Sequence, residues 1–314
     1  YLCFAIVMVF FITGGFAQQR TTIKMVLDTT THSIRIKQTL FYKNTSKVAL
    51  NDIVLIDWNN SYSSKTTPLA ERFSEEYDSK FHFAKSDDRG YTSIQSIVDE
   101  NNTKFEFEYD EKHPDNLNLF LNKPLQPDNE IALVFNYTVK LPNTKFTGYG
   151  IDKNSNYNLR YWYFTPAIYN NGWIYQSNFN LDDLHTTPMD IDLEISHPKQ
   201  FNVISELDEV ITQANHLSHF KGLNRVDSRL ILTKENSFKS IKTDAFTITS
   251  NLNDKYINPI DKVLATDRVV QFLTKELGPY KNKKLLVTET DYDKDKLYGI
   301  NQLPKILRPF PEEF

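Results

Sequence analysis

Cysteine is all but missing from this chain of 314 residues, with Cys3 its single example. No disulfide can form within the chain, and zinc sites built on several thiolates are excluded with it. If the first residues are removed, no thiol remains and a cysteine nucleophile is excluded too. Glycine is scarce, at 9 residues, and no glycine-rich phosphate loop can be read anywhere. Charge of one sign is also lacking: 40 acidic residues stand against 36 basic ones, a net charge of −4. Without a concentrated basic patch, nucleic acid is not an expected partner. None of the seven histidines has a glutamate beside it, so neither a His-Glu-x-x-His zinc helix nor its inverted form is present.

Aromatic residues are plentiful, with 22 Phe, 17 Tyr and 3 Trp. With so little glycine, that mixture favours strands over flexible linkers. The opening run Tyr1 to Ile12 is apolar throughout and leads into Thr13-Gly14-Gly15-Phe16-Ala17. An apolar core ending in small residues is the pattern of a secretory signal peptide, here residues 1–17, with cleavage after Ala17. The alternative is an uncleaved anchor, since residues 1–19 carry no charge. Both readings export the remainder to the periplasm, the envelope or the exterior. Any membrane contact is expected through residues 1–19 alone.

From Thr21 to about Ser250 the hydrophobic period is two. Ile34, Ile36, Leu40 and Tyr42 share one parity, as do Phe105, Phe107 and Tyr109. Ile131 to Val139 and Ile191 to Ile195 repeat the pattern, which marks half-buried antiparallel strands. Turns at residues 112–116, 126–129 and 197–199 separate these runs. Residues 18–250 therefore read as a mainly β domain, a sandwich or saddle. After about residue 251 the texture changes. Asn258-Pro259 starts a helix whose stripe is Ile260, Val263, Leu264, Leu273 and Leu277, and Gly278-Pro279 stops it. Lys284 to Thr290 reads as a strand. One helix and one strand cannot enclose a core, so residues 251–314 read as the start of a second, α+β domain.

Several chemical candidates reduce to plain structural ones. His216 and His219 lack a third ligand and read as surface histidines. Asp291-x-Asp293-x-Asp295 opens like a calcium loop, but Lys296 and Gln302 stand where the glycine and the bidentate glutamate belong. It reads as a solvated charged loop. Sequons occur at Asn44, Asn101 and Asn136. The aromatic stretch from Arg160 to Pro166, continued by Tyr169 and Gly172-Trp173-Ile174-Tyr175, offers two readings. One is an exposed ledge for sugar or peptide, and the other a packed interface.

Taken in order, the segments resemble the aminopeptidase N-like (gluzincin) zinc metallopeptidases. The resemblance rests on Tyr109-Asp110 through Leu121, Lys123-Pro124-Leu125, Ile131 to Tyr137, Tyr161 to Pro166 with Gly172-Trp173, and Met189 to Pro198. It ends with Leu277-Gly278-Pro279-Tyr280, Leu285 to Thr288, and Leu297 to Pro304. It implies a saddle-shaped β domain followed by the beginning of a thermolysin-like domain. It also implies a parent enzyme that hydrolyses peptide substrates with zinc-activated water. The family's Gly-x-Met-Glu-Asn substrate loop falls on Gly299, Ile300, Asn301 and Gln302, with Asn301 in place of the glutamate. A neutral amide accepts a hydrogen bond from the substrate's ammonium without the charge-assisted part. The family's zinc helix lies beyond this loop, so this chain is expected to bind no zinc and to be inactive by itself. Two rivals are a pseudopeptidase scaffold of the same fold and a β-sandwich module that binds carbohydrate or peptide.

Overall fold

Strict alternation of apolar and polar residues makes ribbons with one greasy face, and burying those faces against each other builds the molecule. The computed structural model describes residues 19–180, 184–210, 216–252 and 259–294. The long strands come first: β1 (Gln19–Asp28), β2 (Ser33–Lys43), β3 (Leu50–Ile56), β4 (Tyr91–Val98), β5 (Glu106–Tyr109), β6 (Asn116–Leu125) and β7 (Glu130–Lys140). Short strands follow: β8 (Gly150–Ile151), β9 (Tyr157–Leu159), β10 (Thr165–Pro166), β11 (Ile168–Tyr169) and β12 (Trp173–Ile174). Next come β13 (Met189–Ser196), β14 (Asn202–Ser205), β15 (Asp208–Val210), β16 (Leu217–Arg225) and β17 (Leu230–Thr233). The last are β18 (Lys239–Lys242), β19 (Thr247–Ser250) and β20 (Lys284–Val287). Helices are α1 (Pro68–Glu75), α2 (Pro259–Leu277) and α3 (Glu289–Lys294). The chain is mainly β, and almost every strand pair is antiparallel. The parallel pairs are β1 with β13 and β19 with β20.

A seven-stranded sheet, in the order β15-β16-β13-β1-β2-β7-β4, forms one wall. Its inner face carries Ile23, Met25, Ile34, Leu40, Leu133, Phe135 and Leu193, all fully or almost fully buried. The outer face is charged. Lys24 and Glu194 sit opposite each other on β1 and β13 at 2.9 Å, and Lys221 reaches Asp192 at 3.0 Å. Two four-stranded sheets, β10-β3-β6-β5 and β14-β17-β9-β8, close the other side of one continuous core. Polar residues also take positions that the alternation reserves for apolar ones, Gln38 the most deeply buried of them on β1 and β2. Gln38 is fully buried and spans both walls. Its Nε2 donates to Phe164 O at 2.8 Å and to Thr21 Oγ1 at 3.1 Å, and its Oε1 accepts from the Tyr137 hydroxyl at 2.7 Å.

Several local expectations change. Phe107 shares the parity of Phe105 but is 38 % exposed, on β5, the edge strand of its sheet. The helix α1 interrupts the strands. Thr67 caps it by accepting from Ala70 N, Pro68 opens it, and Leu69, Ala70 and Phe73 pack inward. Gly150 has φ +108, and a Cβ there would sit 1.8 Å from Pro142 O, so only glycine fits the approach.

β18, β19 and β20 form a separate three-stranded sheet, in which the pairing partners of β20 are residues 247–250. The strand ends at Val287, short of Thr290, and a helical turn replaces the expected charged loop. Thr288 Oγ1 accepts from Asp291 N at 3.2 Å and donates to Asp291 Oδ2 at 2.7 Å. A threonine three residues ahead of an acid is a capping pattern, and it outweighs the loop signal of alternating charges. Helix α2 ends as expected at Gly278, whose φ is +89. Its stripe, however, is uncovered: Ile260, Val263, Leu264, Leu273 and Leu277 are exposed, and among the described residues of α2 the buried one is Val270.

Candidate functional site

The substrate-loop candidates Gly299, Ile300, Asn301 and Gln302 lie outside the described residues. What the structure does show is a seam between the saddle and the end of β20. Arg229, at the start of β17 in the saddle, pairs with Asp291 of α3. Asn251 Oδ1 accepts from Glu289 N at 2.8 Å. The first contact docks the exit of β20 against the saddle, and the second ties it to the residue that follows β19. Beside them opens a cavity of about 460 Å³ between the saddle and the second unit. Its walls include Asn156 and Asn158 on the saddle side and Thr288, Glu289 and Thr290 on the other. Amides and hydroxyls dominate this lining, which suits hydrogen bonding to an extended chain more than acid-base chemistry.

Behind the seam sits an ionic group on the saddle. Arg160 Nε donates to Asp227 at 2.7 Å, and Arg229 N donates to Glu206 Oε1 at 2.8 Å. Burial, with the nearby Asp227 charge, pushes the Glu206 carboxyl up to about 7. A second buried carboxyl, Asp57, is raised to about 7 by burial. It accepts from Tyr109 Oη and from Thr92 Oγ1, both at 2.7 Å.

His113, Ser177 and Asp115 form the nearest likeness to nucleophilic machinery. Ser177 Oγ donates to Asp115 Oδ1 at 2.8 Å and lies 2.8 Å from His113 Nδ1. The order is wrong for catalysis. With its proton given to Asp115, the serine oxygen can only accept from His113, whereas an activated serine must donate to a histidine. Ser177 is also buried. The trio is a structural tie between the turn at 113–115 and the aromatic segment. No spacing in the sequence signals it.

Among the described residues, no three of His, Cys, Asp and Glu come together as a metal site. The side chains described here do not fit a zinc ion, and no catalytic step is assigned to them. His219 is tied to Asp192 at 2.6 Å across β16 and β13, as a surface histidine. Asn44 is fully buried and gives its Nδ2 to Val48 O and Leu125 O, each at 2.8 Å, which takes that sequon out of use. The aromatic segment divides. Tyr161, Trp162, Tyr163 and Phe164 are buried, so there the packed reading holds. Trp173 and Tyr175 are half-buried and edge a hollow of about 330 Å³ on the outer face of β3, β6 and β5.

The fold resembles that of solved M1 zinc metallopeptidases. The crystal structure of the M1 zinc metallopeptidase from Deinococcus radiodurans superposes with a TM-score of 0.50 at 12% identity, covering 86% of this chain and 55% of that one. A point mutant of the same enzyme gives 0.50 at 11% identity, covering 87% and 56%. The chain thus spans a little over half the length of these M1 structures. No protein-family model and no curated protein matches the sequence. At this identity the likeness speaks for the fold: a mainly β unit of the kind that begins the M1 peptidases.

Proposed function

We propose that this chain is the amino-terminal part of an exported, M1-like zinc peptidase, comprising its β-saddle and the opening of its catalytic domain. The observation that carries the proposal is the seam. Arg229 and Asp291 anchor the end of β20 to the saddle, and in the sequence that strand precedes residues 299–302, the stretch that resembles an M1-like substrate loop. Peptide hydrolysis and the zinc belong to the whole protein, and the described residues frame the site without performing its chemistry. The polar cavity of about 460 Å³ at the seam suits an extended peptide. Asn301, in place of the loop's glutamate, weakens capture of a free amino terminus by losing the charge-assisted hydrogen bond. Reduced preference for unblocked substrates follows.

The test is metal analysis of the complete protein together with hydrolysis of aminoacyl-nitroanilides and amino-blocked peptides. One zinc per protein, with cleavage abolished by a chelator, supports the peptidase reading. A folded protein without zinc or cleavage overturns it and favours the non-catalytic scaffold that Asn301 also suggests.

A further inference from the structure

A second site lies on the outer face of the sheet formed by β3, β6 and β5, and shares no lining residue with the seam cavity. Register makes it. Val54 pairs with Asn118, which pairs with Glu108, so all three project from one face in one row. In the next row Asn116 lies beside Ile56, and its carbonyl accepts from Asp110 N at 3.0 Å. Asp52 stands one row to the other side. On the opposite parity of β3 and β6, Ile53, Leu55, Leu117 and Leu119 are fully buried in the core. The polar row therefore results from alternation, with side chains that would otherwise face open water. The hairpin of β11 and β12 then folds over it, bringing Trp173 and Tyr175 to the rim of a hollow of about 330 Å³.

Acceptors outnumber donors among the groups that face this hollow. Asn116 is 2 % exposed, and its Oδ1 has no hydrogen-bond partner. The Oδ1 of Asn118 is likewise buried and unpartnered. Around these two amide oxygens stand the carboxylates of Asp52, Glu108 and Asp110, and the lining contains no lysine or arginine. The indole N–H of Trp173 is already given to Asp52 Oδ1 at 3.0 Å. Asp110 Oδ1 accepts from the backbone N–H groups of Lys112 and His113 at 2.8 and 2.9 Å, which fixes its carboxylate at the rim. An occupant must therefore bring several donors and positive charge, and must tolerate contact with aromatic rings.

We propose that this hollow binds a guanidinium group, as carried by the arginine side chain of a peptide or protein. Guanidinium is planar, offers five N–H donors in a fixed fork and stacks on aromatic faces. The arrangement of amide and carboxylate oxygens beside Trp173 and Tyr175 matches each of those features. A compact ammonium has three donors and no flat face, so it satisfies fewer of these oxygens. A neutral sugar leaves the three carboxylates uncompensated. The site is independent of the peptidase reading: it needs no metal and uses none of residues 299–302.

The test titrates the full chain with acetyl-Gly-Arg-Gly-amide by calorimetry and intrinsic fluorescence. Trp58 and Trp162 are buried, so Trp173 is the tryptophan placed to respond. Saturable binding is expected, weaker for the lysine peptide, absent for the isosteric citrulline peptide, and reduced by added salt. Glu108→Gln, at an exposed position, is expected to weaken binding by about fivefold. Asn118→Leu is expected to abolish it with an unchanged circular dichroism spectrum. Free L-arginine binding as tightly as the peptide would assign the site to the amino acid, and tighter peptide binding assigns it to a polypeptide. The proposal is overturned if no guanidinium probe saturates at tens of millimolar, if citrulline binds as well as arginine, or if a neutral oligosaccharide binds where arginine does not.

Discussion

The Tyr109 hydroxyl donates to Asp57 Oδ2 at 2.7 Å, joining the edge strand β5 to a carboxyl buried at the end of β3. Thr92 of β4 gives the other oxygen its hydrogen bond, also at 2.7 Å, so one side chain ties both walls of the sandwich together. Two hydrogen bonds do not offset the loss of water, and burial holds this carboxyl up at about 7.

A pH dependence follows. The folded values of Asp57 and Glu206 are near 7, above their ordinary 3.8 and 4.5, so the folded protein binds these protons more tightly than the unfolded chain. Their stabilisation is fully present below the ordinary values and is lost as pH rises through about 7. For Asp57 the effect is on the order of 4 kcal/mol. Asp88 opposes it at the acid end, since its hydrogen bond from Lys145 lowers its pKa and is lost as pH falls. Urea midpoints should be highest in mildly acidic buffer and decline towards pH 7 and above. Asp57→Asn should flatten the decline, and an unaltered slope in that variant would refute the assignment.

Gln38 ties the two walls of the sandwich by hydrogen bonds across the core. Replacing it with leucine strands Phe164 O and leaves the Tyr137 hydroxyl without its acceptor. A loss of about 2–4 kcal/mol is expected, with Tyr137→Phe costing about 1–2 kcal/mol. Denaturant unfolding of the two single variants and the double variant checks this. Coupling should be evident, because the residues share one hydrogen bond.

Asp291→Ala should release the second unit without disturbing the saddle. Arg229 and Thr288 both lose their partner. Faster hydrogen exchange is expected across residues 284–294 and unchanged exchange in β1, β2 and β7. A uniform increase over the whole chain would mean that the seam is part of the global folding unit.

Gly150→Ala should be among the most damaging single substitutions, at about 3 kcal/mol or more. A Cβ would meet Pro142 O at 1.8 Å from a backbone at φ +108. Gly172→Ala isolates the backbone part of that cost, since its φ is +152 but nothing lies within 4 Å of its Cβ position. The two thermal midpoints should differ by several degrees.

Much of the fold is legible along the chain. A period of two over Ile34–Tyr42, Ile131–Val139 and Ile191–Ile195 is a local property of the strand, and Gly278 marks the end of α2 by its own backbone freedom. Capping at Thr67-Pro68 and Thr288-x-x-Asp291 is equally local: it sets a helix into the stretch read as strands and another where a charged loop was expected. Parity says which residues share a face but not which face finds a partner, so Phe107 follows the pattern of Phe105 and still meets water.

What only the tertiary structure decided are the meetings of residues far apart in the chain. The burial of Asp57 and Glu206, the Arg229–Asp291 tie and the hollow of Asn116, Asn118 and Trp173 all depend on strand register and on which segments fold over which sheet. Alternation by itself determined that this protein is mainly β, because each strand's side-chain pattern is set by its neighbours in sequence. Its sites were decided by packing, because electrostatics and unmet hydrogen bonds belong to the space between segments.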